Sequence, residues 1–120
     1  MRSLILLMSL LGVLIQPTYA GEADVTAVSV EAAGSGKWRF DVTVRHSDTG
    51  WDHYANGWEV VGPDGTVFGK RVLAHPHVEE QPFTRSGLID IPAGITKVTV
   101  RANDLVHGLG GAEIVVTLPK

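Results

Sequence analysis

Five histidines, His46, His53, His75, His77 and His107, occur in a sequence with no cysteine. Imidazole nitrogen is then the strongest transition-metal donor on offer. With carboxylate as an auxiliary it suits Zn²⁺, Cu²⁺ or Ni²⁺, whereas Cu⁺ and blue-copper sites want sulfur. His75-Pro76-His77 is the strongest local element. Residues i and i+2 of an extended segment point the same way, and proline fixes its own φ and biases its predecessor towards an extended form. Two imidazoles should project side by side, as a chelating pair needs. His46 and Asp48 form a second such spacing, and His53 and His107 could complete a set of three or four nitrogen ligands. All five histidines are therefore candidate ligands of one divalent ion, Zn²⁺ or Cu²⁺, and no organic cofactor is expected.

Other chemistry is less well specified. A histidine with Asp52, Asp104 or Glu79 could make an acid–base pair, but no Ser or Thr stands in a recognised nucleophile setting, so a non-catalytic protein is expected. Gly34-Ser35-Gly36-Lys37 resembles the end of a phosphate loop, yet Glu31 holds the leading glycine's place and a strand follows where a helix is required. Gly69 and His75-Pro76-His77 fit the opening of the cupin pattern. Gln81 then stands where that pattern wants a glutamate, and Lys97 where it wants a histidine. The alternative to metal binding is an interaction module that docks a protein or glycan through Trp51 and Tyr54.

The elements that must position these residues read as strands. Trp38, Phe40, Val42 and Val44 face one way while Lys37, Arg39, Asp41, Thr43 and Arg45 face the other, the period-2 mark of a half-buried antiparallel strand. Val98-Val100-Ala102 and Ala112-Ile114-Val116-Leu118 repeat it. Weaker strands are expected over residues 26–32, 57–61, 66–74 and 83–91. Seven short strands separated by turn signals predict a single antiparallel seven-stranded β-sandwich of immunoglobulin or fibronectin III character. Connections 33–36, 62–65 and 92–94 are plain turn formers. Connections 46–56, 75–82 and 103–111 carry every histidine, with Asp48, Asp52, Glu79, Glu80 and Asp104. If strands alternate in direction, these three lie at one pole, and Gly108, Gly110 and Gly111 let the last of them approach closely.

Residues 1–20 are expected to be a signal peptide: Arg2, an apolar run from Leu4 to Ile15, then a polar break and Ala20 before Gly21. Residues 21–120 would form the domain, periplasmic or extracellular and not membrane-anchored, with another exported protein as a conceivable partner. Loss of Arg2 takes the net charge from −3 to −4, which disfavours nucleic acid.

HSDTGWDHYANGW (46–58) and HPHVEEQPFTR (75–85) resemble a family of small exported bacterial proteins of uncharacterised function. The resemblance covers most of the chain after residue 20. It implies an exported single-domain β protein whose distinctive residues occupy the loaded loops, where a rigid scaffold usually carries function.

Overall fold

Residues 21–120 are described by a computed structural model; the expected leader, residues 1–20, lies outside them. The described residues form eight strands and no helix: β1 (Asp24–Gly34), β2 (Lys37–Arg45), β3 (Ala55–Val61), β4 (Val67–Val72), β5 (Phe83–Asp90), β6 (Lys97–Asp104), β7 (Gly108–Leu109) and β8 (Ile114–Thr117). Seven strands were expected. The eighth, β7, has only two residues, too few for alternation to register, and folds back on Asn103 and Asp104 of β6.

The strands make two antiparallel sheets, one in the order β1-β2-β5 and one in the order β4-β3-β6-β7, with β8 also paired to β6. Their apolar faces meet in a common core. Phe40, Val42, Val44, Phe83 and Ile89 come from the first sheet, and Trp58, Val60, Val98, Val100 and Ala102 from the second. Trp58 reaches across to β5 so closely that a Cβ at Gly87 would stand 3.1 Å from its ring. That contact explains a glycine inside a strand, where it otherwise weakens the pairing. Trp58 is buried, and Trp38 packs at the core's edge.

Two alternations set up the site. On β2 the inward series Phe40, Val42, Val44 runs on past the strand end into His46 and Asp48, all buried. On β6 the series Val98, Val100, Ala102 runs on into Asp104, 2% exposed. Both series therefore place a polar side chain at the mouth of the core, from opposite sheets.

Candidate metal centre

The loop after β2 is shaped by its own backbone. The Asp48 N–H donates to the His46 carbonyl (2.8 Å), and a tight turn is closed by His53 N–H to Gly50 O (3.2 Å) and Thr49 N–H to His53 O (3.0 Å). Trp51 stands at its tip, 66% exposed, and His53 is carried back towards the core. The Asp48 carboxylate closes the neck. Its Oδ1 accepts from Ala55 N–H (3.0 Å) and from the His46 ring Nδ1 (2.5 Å), and its Oδ2 from His77 N–H (2.7 Å). Gln81 ties the neighbouring loop in, accepting from His46 N–H (2.9 Å) and donating to the His77 carbonyl (3.0 Å).

Asp104 organises the other side. Its Oδ1 accepts from His107 N–H (2.6 Å), a side-chain-to-backbone turn of the kind aspartate favours, which swings the His107 ring back over the carboxylate. Its Oδ2 then meets three ring nitrogens: His46 Nε2 (2.9 Å), His53 Nε2 (2.5 Å) and His107 Nδ1 (2.9 Å). One donor atom each from His46, His53 and Asp104 lies within 4.8 Å of the other two. Ligands at the usual bond lengths of about 2.0–2.2 Å around a tetrahedral ion sit about 3.4 Å apart, so the 2.9 and 2.5 Å contacts of Asp104 Oδ2 with His46 and His53 would have to open to seat one. His46 and Asp104 are shielded, whereas the side chains of His53 and His107 are 24% and 38% exposed. An ion would enter from that wet side.

The protons carry the chemical argument. A carboxylate only accepts, so the His46 Nδ1 facing Asp48 carries hydrogen. The other nitrogen, Nε2, also faces only oxygen: Asp104 Oδ2, and the Gly21 carbonyl at 3.1 Å. In neutral imidazole that nitrogen is a lone pair opposed by two more acceptors. Either a second proton or a cation resolves the conflict. A metal-binding imidazole whose remote N–H is held by a carboxylate is the usual outer-shell arrangement.

Burial alone would raise the Asp104 pKa. Hydrogen bonds from the His107 ring and backbone, His53 and His46 outweigh it and hold the group down at about 2. The same hydrogen bond to Asp104 raises His107. Burial lowers His77, helped by the Arg85 guanidinium and by His75. For the metal-free protein the signs follow by linkage. Asp104 stabilises above its unfolded value of about 3.8, and about 2 kcal/mol is lost as the pH falls through about 2. His77 loses stability as the pH drops from the ordinary histidine value towards its lowered one. His107 contributes below that ordinary value and loses its share as the pH rises through its raised one. Urea midpoints measured from acid to mildly alkaline pH should therefore pass through a maximum, and a flat profile would contradict this network.

Three of the five candidate histidines, His46, His53 and His107, share one carboxylate oxygen. His75 and His77 stand apart. Their rings do lie side by side, 4.6 Å between centroids, but His77 stacks on Phe83 at 3.9 Å and its Nε2 accepts from Arg85 (2.9 Å). A lone pair engaged by a guanidinium is not offered to a second cation. His75 is exposed, its Nδ1 turned to the Pro76 carbonyl. Asp104, which lies among these rings, is not one of the five residues singled out by the sequence as candidate ligands, though the parity of β6 points to it.

Comparison with known proteins is sparse. The chain matches no family model and no solved structure. It is 44% identical over 95 residues to a protein of Halomicrobium mukohataei named "Putative lipoprotein". The match takes in 79% of this chain and 47% of that protein, so the chain spans about half the length of the curated relative it matches.

Proposed function

We propose that this chain is an exported β-sandwich protein that binds one divalent transition metal ion, Zn²⁺ or Cu²⁺, through His46 Nε2, His53 Nε2 and Asp104, with His107 at the rim. The observation that carries the reading is the His46 ring, held between two carboxylates with both nitrogens aimed at oxygen. Two histidines and a carboxylate with an open side suit a borderline divalent ion. Export is supported by the apolar leader expected over residues 1–20 and by the lipoprotein name of the relative. The 120 residues contain no cysteine to which a lipid could be attached. The strand orders β1-β2-β5 and β4-β3-β6 support an immunoglobulin or fibronectin III arrangement of the sandwich.

Titration with Zn²⁺ or Cu²⁺ while following thermal unfolding tests the reading. Free ion at about one hundred times Kd adds about 2.7 kcal/mol, which for a domain of this size is a rise of roughly 10 °C or more. No rise with either ion in large excess would overturn it. Substituting His75→Ala and His77→Ala together should lower the starting melting temperature, because the His77–Phe83 stack goes, yet leave the ion-induced rise in place.

A second reading rests on Trp51, which is exposed at the same pole with Tyr54 edge-on at 5.7 Å. That pair offers an aromatic platform for a protein or glycan. Trp51→Ala should leave ion binding unchanged; a parallel loss would place Trp51 within the ion site instead.

A further inference from the structure

The first described residues run into the same cluster. The Gly21 carbonyl oxygen lies 3.1 Å from His46 Nε2, the nitrogen that faces Asp104 Oδ2 at 2.9 Å. Its position is built rather than incidental. Ala23 is fully buried. Val25 N–H donates to Ala112 O (2.8 Å), and Ala112 N–H donates to the Asp24 carboxylate (2.7 Å). Opposite this segment stand Gly110 and Gly111. A Cβ on Gly111 would collide with the Ala23 carbonyl, and one on Gly110 would come within 2.9 Å of Glu22 Cγ. The glycines of the last loop admit the N-terminal segment, and that segment delivers an oxygen to the mouth of the core.

We propose that the Gly21 carbonyl oxygen is a further ligand of the ion, placed there by the clasp between residues 21–25 and 110–112. The proposal rests on the metal reading above. A backbone carbonyl adds a neutral oxygen donor, known as a weak ligand alongside imidazole. It places the ion beside Nε2 of His46, where two oxygens already converge. Affinity for the ion then depends on the docking of the N-terminal segment, which no histidine substitution would reveal.

Gly21-Glu22 is the only Gly–Glu dipeptide in the sequence. Protein labelled with carbonyl-¹³C glycine and ¹⁵N glutamate therefore reports the Gly21 carbonyl alone, through its coupling to the Glu22 nitrogen. A ¹⁵N-histidine sample reports the rings. On adding Zn²⁺, the Gly21 carbonyl signal should shift along the same isotherm as the His46 and His53 ring nitrogens. Ring signals that move while the carbonyl stays would overturn this inference and leave the metal reading standing; if neither moved, both would fall. Independently, Gly111→Val should weaken Zn²⁺ binding by about tenfold or more, the loss typical of disturbed metal-site support, while the ring nitrogens still respond. An unchanged Kd in that folded variant would also overturn the inference, and the labelled natural sequence decides alone should the variant not fold.

Discussion

Replacing Asp104 by asparagine is expected to abolish the ion-induced rise in melting temperature and to destabilise the metal-free protein by about 3 kcal/mol at neutral pH. The shape is conserved, so the effect is chemical. Asp104 receives four nitrogens: the His107 N–H on Oδ1, and the rings of His46, His53 and His107 on Oδ2. An amide keeps one acceptor oxygen and presents two hydrogens where the other stood. With its oxygen kept on the rings, the amino group meets the His107 N–H. Turned round, its two hydrogens face three ring nitrogens and one ring contact is lost. The place is 2% exposed, and each polar group left unpaired there costs about 1–3 kcal/mol. The negative charge goes too, so His107 loses the main cause of its raised pKa. Urea unfolding with and without Zn²⁺ measures both effects. Asp52→Asn, on the exposed tip of the loop after β2, is the matched control and should change stability by under about 0.5 kcal/mol. An Asp104→Asn protein that still gained stability from Zn²⁺ would remove the carboxylate from the ligand set.

The alternation that makes the core also explains what the sequence could reveal. Phe40, Val42 and Val44 declare the inward face of β2, and Val98, Val100 and Ala102 that of β6. Extending each series by one step points His46 and Asp104 inward, into the same layer between sheets. Strand parity likewise groups the three loaded connections at one end. The particular partners within that end are a different matter. His75-Pro76-His77 has good local chelating geometry, and its rings do lie together. Phe83 and Arg85, brought alongside by β5, decide what those rings meet, and periodicity says nothing about that. The pairing of Gly108 and Leu109 with the end of β6 is equally silent in sequence. It depends on the turn made by the Asp104 side chain on the His107 backbone, a tertiary choice rather than a pattern.

Asp48→Asn should separate positioning from ligation. Asp48 is not among the converging donors, yet it holds the His46 ring, the Ala55 N–H at the start of β3 and the His77 N–H of the loop after β4. Asparagine can serve one side of that arrangement only. If its oxygen keeps His46 and Ala55, the His77 N–H meets an amino group. If it turns to His77, the His46 Nδ1 loses its acceptor and the ring is free to move its proton to Nε2, the nitrogen the ion needs. Zn²⁺ affinity should fall by about 10–100-fold, the usual result of removing a carboxylate behind a metal-binding imidazole, with the stoichiometry unchanged and a stability loss of about 2 kcal/mol. Competition against a chelator gives the affinity, and the ¹⁵N shifts of the His46 ring give the tautomer. The two readouts should move together: the larger the fraction of His46 protonated at Nε2 in the metal-free variant, the weaker its binding. A variant that binds Zn²⁺ as tightly as the natural sequence, with the His46 proton still on Nδ1, would show that the surrounding packing orients the ring without Asp48.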